Sequence, residues 1–239
     1  MKKYFLTFGG NGPNFHNAVK RICAEAQEFS LFHEILGLTE KDLQNSTEFW
    51  QKHANFLNKN RKGYGYWIWK SYLVKKQLEK MEYGDLLLYA DSGCVLNIKG
   101  KDRLNEYFTM AQQSANGIFS FQLDKKEAQY SKMDLFHHFN CLNFIETEQL
   151  VGGIFIIRKC DESINLVNKW YDACCIYKLI DDSPSKIPND ASFKEHRHDQ
   201  SVWSIIRKQS NGIIIRDETY FKPWDLGDKF PILAMRQKY

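Results

Sequence analysis

The six cysteines of this 239-residue chain, Cys23, Cys94, Cys141, Cys160, Cys174 and Cys175, include no Cys-X-X-Cys pair. A chain of this size with scattered thiols suggests neither a zinc site nor a disulfide scaffold, and a reducing cytoplasm suits it best. Vicinal Cys174 and Cys175 read as core and surface neighbours rather than redox partners. No apolar run approaches the ~20 residues of a membrane span. The longest, Val151 to Ile157, has strand length. The start, Met1-Lys-Lys-Tyr-Phe-Leu-Thr-Phe-Gly-Gly, is basic but carries too short an apolar region for a signal peptide, so the mature chain is expected to begin at Met1. A net charge of +4 and a pI near 8.6 fall short of the concentrated basic patch of a nucleic-acid binder, which argues against that class of partner. An anionic small molecule, or peripheral contact with a membrane surface, stays open.

What is present is a chain 43% hydrophobic and 15% aromatic, enough for one well-packed domain over residues 1–239. Its organising stretch is Gly84-Asp-Leu-Leu-Leu-Tyr-Ala-Asp-Ser-Gly-Cys94. The apolar run Leu86 to Ala90 is too short for a helix and is bounded by turn formers, so it reads as a strand buried on both faces. It ends in Asp91, a carboxylate at the C-terminal edge of a central strand, where open α/β sheets place their ligand crevice. Asp-Ser-Gly is also a common turn, and both readings stand on the residues alone.

Further strands are expected at Lys3–Phe8, Phe32–Leu36, Gly117–Gln122 and Asn211–Ile215. Helices are expected at Asn14–Phe29, Ser46–Asn58 (with Ser46 as N-cap), Ser71–Met81, Lys101–Ala115, Asp161–Tyr177 and Val202–Lys208. Between the first strand and helix lies Gly9-Gly10-Asn11-Gly12-Pro13. It lacks the G-x-G-x-x-G spacing. Its glycines fit either an ordinary βα turn or the close approach of a ligand to backbone N–H groups at a helix start. Asp181 to Asp190, rich in Ser, Pro and Asp, is expected to be a mobile lid. It leads to His196-Arg197-His198-Asp199-Gln200-Ser201, where Asp199 could be a helix cap or a site residue.

The run Gly63-Tyr-Gly-Tyr-Trp-Ile-Trp-Lys70 through Cys94 resembles the core of a group of bacterial and viral glycosyltransferases of the GT-A type. In that group an aspartate motif after a buried strand binds a metal and the diphosphate of a nucleotide-sugar. The superfamily motif is Asp-X-Asp; here Gly93 replaces the second carboxylate, which puts metal dependence in doubt. The resemblance extends to Glu148–Arg158 and to 196–208. It implies a single-domain, Rossmann-like α/β fold with a mixed, mainly parallel sheet flanked by helices, its nucleotide-binding part at about 1–125 and its acceptor side at about 126–239.

By that resemblance, Phe8, Gly9, Gly10, Asn11, Arg21, Lys70, Tyr89, Ala90, Asp91 and Gly93 are candidates for the nucleotide donor, with Lys70 as a phosphate contact. Lys132, Gly152, Gly153, His198 and Gln200 are candidates for the sugar and acceptor. Asp91, Asp199 and Asp134 are candidate catalytic carboxylates. On spacing alone, Lys132 and Asp134 belong to a solvated amphipathic helix over Lys125–Phe136. Asp91 and His198 are candidate ligands for Mn²⁺ or Mg²⁺. The implied activity is transfer of a sugar to a glycan hydroxyl, with stereochemistry open. The last motif, Tyr220-Phe-Lys-Pro-Trp224, resembles a Lys-Pro-Trp that some retaining members fold over the diphosphate, without their preceding His and Gly. A nucleotidyltransferase would need a Lys/Arg-rich glycine signature that the N-terminus lacks. A non-catalytic glycan-binding module would use Tyr64, Tyr66, Trp67 and Trp69 as stacking platforms, whereas most of these are expected in the core.

Overall fold

The structure is a computed structural model that describes residues 1–237. Strand β1 (Lys3–Phe8), helix α1 (Pro13–Glu28) and strand β2 (Glu34–Leu38) form a parallel βαβ unit. Helices α2 (Glu40–Asn45) and α3 (Thr47–Lys59), the single turn α4 (Gly63–Tyr66) and helix α5 (Ile68–Lys80) then lead to β3 (Leu86–Ala90). Short β4 (Val95–Leu96) and helix α6 (Lys101–Gln113) precede β5 (Ile118–Lys126), which passes through α7 (Glu127–Tyr130) and α8 (Met133–His138) into β6 (Glu148–Arg158). Helices α9 (Asp161–Cys175) and α10 (His198–Lys208) and strands β7 (Ile213–Arg216) and β8 (Ile232–Leu233) complete the order.

The main sheet runs β2-β1-β3-β6-β5-β7. Strand β6 is antiparallel to both β3 and β5, whereas β1 pairs parallel with β2 and β3, and β5 with β7. The fold is thus α/β with a mixed, mainly parallel sheet flanked by helices.

Alternation along each strand builds a core on either face. Phe5, Leu86, Leu88, Ala90, Phe119, Ile154 and Ile156 meet Ile22 and Ala26 of α1 and Leu104 and Phe108 of α6. Leu6, Leu87, Tyr89, Phe155 and Ile157 meet Leu73 and Val74 of α5, Trp170 of α9, and Val202 and Trp203 of α10. Trp170 and Trp203 stack with centroids 4.4 Å apart, which locks α9 to α10. Each fully buried Leu or Phe contributes about 1.5–3 kcal/mol. A central strand so covered ends in a fixed place.

Several boundaries differ from the sequence expectation. Helix α5 starts at Ile68 rather than Ser71, and α10 at His198 rather than Val202, because polar residues of both first turns are buried by mutual ion pairing. Residues 125–136 form no single amphipathic helix but a strand end and two short helices. Ser46 sits at the N-cap of α3 without capping it; its hydroxyl pairs with Tyr72. Cys174 is buried and Cys175 half-buried, both as free thiols.

Candidate active site

Asp91 continues β3 for one step beyond its last residue: its N–H donates to Gly153 O at 2.8 Å. Its side chain is 42% exposed, while every residue of β3 is buried. Oδ1 accepts from the Tyr89 hydroxyl at 2.7 Å and lies 3.2 Å from Lys70 Nζ. Oδ2 faces Gly153, where an added Cβ would sit 2.4 Å from it. A glycine here is what lets the carboxylate lie against the neighbouring strand. Gly153→Ala should keep the fold, since nothing in its φ demands glycine, but push the Asp91 carboxylate aside. An ångström of misplacement costs about 10²-fold in rate, so a loss of that size in turnover at unchanged melting temperature is expected.

Lys70 reaches this carboxylate from the first turn of α5, and the chain before it is strained. Gly63, Tyr64, Gly65, Tyr66 and Trp67 all have positive φ (56°, 51°, 81°, 51° and 61°), a left-handed turn closed by Trp67 N–H to Gly63 O at 3.1 Å. Non-glycine residues in this region cost roughly 1–2 kcal/mol each. Burial of Ile68, Trp69 and Lys70 and the Trp69 Nε1 bond to Gly63 O at 3.0 Å hold the turn in place.

The Lys70 ammonium is buried and meets three acceptors: Asp91 Oδ1, Asp199 Oδ2 at 3.1 Å, and Gly152 O at 3.3 Å. Burial alone would lower its pKa, but Asp199 and Asp91 together raise it. For Asp199 the balance falls the other way. Burial pushes its carboxyl up to about 6 against the pull of Lys70, and the Asp91 charge adds to the rise. An exposed carboxylate, a buried cation and a buried carboxylate therefore stand in series at the end of the central strand.

The Lys70 ammonium, expected as a phosphate contact, is engaged by protein here: it donates to Gly152 O and forms ion pairs with Asp91 and Asp199, and so holds Asp91 in place. Arg21 is likewise engaged by protein. Its Nη2 donates to Ser92 O and Cys94 O, each at 2.9 Å, and its Nη1 pairs with Glu25 at 2.6 Å. Glu25 in turn accepts from Leu96 N–H at 2.8 Å. Together they hold the aspartate turn from behind. Gly93 lies under the C-terminal segment, with Gln237 N–H donating to Gly93 O at 2.8 Å.

The glycine loop is also occupied by protein. A Cβ on Gly9 would lie 2.6 Å from Phe15 O, so this glycine serves the packing of α1 on β1. Asn11 N–H donates to Glu40 Oε2 at 3.1 Å, and His16 Nε2 meets the same oxygen at 2.7 Å. Partial burial raises the Glu40 pKa, but His16 and the Asn11 N–H outweigh it and hold the carboxyl below its usual range. Phe8 packs on Trp69 with centroids 4.0 Å apart, and Ala90 is buried in the sheet; neither side chain faces the crevice.

Lys132 and Asp134 fasten the loop expected to be a lid. Lys132 Nζ donates to Lys178 O at 2.9 Å and pairs with Asp181 at 3.2 Å. Asp134 accepts from Lys186 N–H at 2.9 Å and Ile187 N–H at 3.0 Å. Burial resists ionisation of Asp134, yet these backbone donors lower its pKa. A carboxylate so engaged anchors a loop. The His198 Nδ1–H donates to Ile180 O at 2.7 Å, since a carbonyl only accepts and Nδ1 must carry the proton. Its Nε2 lies 3.7 Å from Asp182, and its ring packs on Tyr66 and Trp67. The structure therefore turns the free nitrogen of His198 to Asp182 and not to Asp91. Gln200 packs on Gly152, the neighbour of the glycine that Asp91 lies against, since a Cβ on Gly152 would lie 2.5 Å from Gln200 Cβ. Of the aromatic run, Trp69 is buried and Tyr64, Tyr66 and Trp67 are half-buried against the core.

Glu25 and Glu40 were not singled out in the sequence. Glu25 had a signal, its i,i+4 spacing from Arg21 on one helix face. Glu40 had none.

No protein-family model matches the chain, and no curated protein sequence does. Solved structures do. The chain is similar to a glycosyltransferase involved in the glycosylation of the major capsid of PBCV-1, with 12% identity and a TM-score of 0.51 over 98% of this chain and 93% of that one. Mouse xyloside xylosyltransferase 1 gives 10% identity and a TM-score of 0.46, covering 94% and 90%. Mannose-6-phosphate isomerase from Helicobacter pylori gives 11% and 0.38, covering 82% and 97%; both scores are too low to define a shared fold. The first shows a fold shared with a glycosyltransferase across nearly the whole chain.

Proposed function

We propose that the protein transfers a sugar from a nucleotide-sugar donor to a hydroxyl of a glycan acceptor, as one domain of the GT-A type. The observation that carries this is Asp91, a half-exposed carboxylate at the carboxyl end of the central strand, fixed on one oxygen by Lys70 and Tyr89 and, among the described residues, with no hydrogen-bond donor on the other. The fold shared with a glycosyltransferase supports the reading.

Departure of the nucleoside diphosphate builds negative charge, which a divalent cation would offset. Among the described residues no group of three or more His, Cys, Asp or Glu could hold a metal. The donor set is Asp91 alone, through Oδ2. That fits Mg²⁺ or Mn²⁺ only where substrate phosphate and water complete the shell, the usual arrangement for Mg²⁺. Lys70 holds Asp91 Oδ1 in place from 3.2 Å. Asp199, buried behind Lys70, adjusts the charge of the trio.

A pH dependence follows. With its carboxyl pushed up to about 6, Asp199 is protonated at pH 5 and ionised at pH 7. The charge of the Asp91–Lys70–Asp199 group thus falls by one unit as pH rises through that value. kcat/KM measured from pH 5 to 8 should show a limb with an apparent pKa near 6. Asp199→Asn should erase the limb; an unchanged limb in that variant would assign it elsewhere.

The reading itself is tested by incubating the protein with UDP-, GDP-, CMP- and dTDP-linked sugars, glycan acceptors and Mn²⁺, and measuring nucleotide release. Acceptor-stimulated release from one donor class is expected. Release from none would refute the assignment.

A further inference from the structure

Behind Gln200 lies a chain of buried polar groups that the reaction scheme leaves unused. Gln149, on β6 and fully buried, has its Nε2 3.2 Å from Glu127 Oε2 and 3.3 Å from both Ser131 Oγ and Ser201 Oγ. The Ser131 hydroxyl donates to Glu127 Oε2 at 2.6 Å, and the Ser201 hydroxyl donates to Tyr130 O at 2.7 Å. Both hydroxyl protons are therefore spent, and both oxygens face Gln149 as acceptors. Glu127 also takes Lys208 Nζ at 2.9 Å and the Ser204 hydroxyl, so donors converge on both its oxygens.

With only acceptors around it, the Gln149 NH₂ group must point inward, because an oxygen there would face three oxygens without a proton between them. Its Oε1 must then point the other way. There it accepts from Gln200 Nε2 at 2.7 Å. This settles the second amide in turn: its NH₂ is committed to Gln149, and among the described residues nothing donates to Gln200 Oε1. The Gln200 stem is pressed against the bare backbone of Gly152, beside Gly153 and Asp91. Gln200 is half-buried beside the strand end that carries Asp91.

We propose that Gln149 is a positioning residue that locks Gln200 with its amide oxygen presented to the crevice, so that the site selects a donor sugar bearing a hydroxyl that donates at this point. The inference rests on the crevice being a nucleotide-sugar site. It predicts polarity: a group that only accepts should be rejected.

The test uses UDP-glucose, UDP-galactose and GDP-mannose with the monodeoxyfluoro analogue of each at every ring hydroxyl, since fluorine cannot donate. Affinities are measured by calorimetry on the wild type, Gln149→Met, Gln200→Met and the double variant. On the wild type one analogue of the bound donor should bind about tenfold more weakly than its parent, the range of a lost hydrogen bond. Both single variants should shrink that ratio to about twofold or less, and the double variant should match Gln200→Met, as expected of two residues acting as one unit. A wild-type ratio retained in Gln149→Met would overturn the positioning role. Should Gln149→Met fail to fold, Gln200→Met decides, because Gln200 is not part of the core; discrimination retained there overturns the proposal. Parent binding without discrimination among analogues sinks this inference alone. Binding of no nucleotide-sugar sinks it together with the proposed function.

Discussion

Asp91→Asn should reduce sugar transfer by about 10³-fold or more, the scale of losing one preorganised electrostatic contact to the developing charge. Stability should fall by only about 1 kcal/mol, because the amide oxygen still accepts from Tyr89 and Lys70 keeps a second carboxylate. The side chain stands outside both apolar cores, so its charge has little part in holding the strand. Circular dichroism and urea unfolding beside a transfer assay would separate the two effects. Near-normal turnover in a folded variant would remove Asp91 from the mechanism.

Lys70→Met carries the largest expected loss of stability. It leaves Asp199 buried without its cation and within the field of Asp91. Breaking a buried pair by removing one partner costs about 3–5 kcal/mol. Part of that cost should return in Lys70→Met/Asp199→Asn, where the orphaned charge is gone, and the single variant should regain stability as pH falls, beginning at a higher pH than in the wild type because the pull of Lys70 on the Asp199 carboxyl is gone. The sign follows from linkage: a carboxyl with a folded pKa above its unfolded value binds more protons when folded, so protonation favours the native state. A urea midpoint for Lys70→Met equal to that of the wild type would show that the trio is not coupled as its distances imply.

Much of the architecture was legible because period-2 and period-3.6 burial are local patterns. Leu86–Ala90 matched β3 residue for residue, and the mixed, mainly parallel sheet was what the family resemblance implied. Asp91, Lys70, Asp199, Gly153 and Gln200 were also named, and the structure brings them together at the end of β3. What the sequence did not show was the partners of these side chains across long separations. Lys70 and Arg21 looked like free cations, and only the fold shows them spent on Asp199 and on the carbonyls of Ser92 and Cys94. Asp134 looked like a catalytic carboxylate, yet its oxygens hold the backbone of residues 186–187, a contact more than fifty residues away that no spacing encodes. The left-handed turn at 63–67 was readable only as a glycine-rich run, since Tyr64, Tyr66 and Trp67 disfavour that backbone and are forced into it by packing.

The most direct measurement of the central claim is the shift in melting temperature of the wild type and of Asp91→Asn with nucleotide-sugars, with and without Mn²⁺. A ligand at 100 times its Kd stabilises the native state by about 2.7 kcal/mol, or roughly 5–10 °C for a chain of this size. The account predicts such a shift for one nucleotide class on the wild type, larger with Mn²⁺, and loss of the Mn²⁺-dependent part in Asp91→Asn. Equal shifts in both proteins, or none in the wild type, would contradict it.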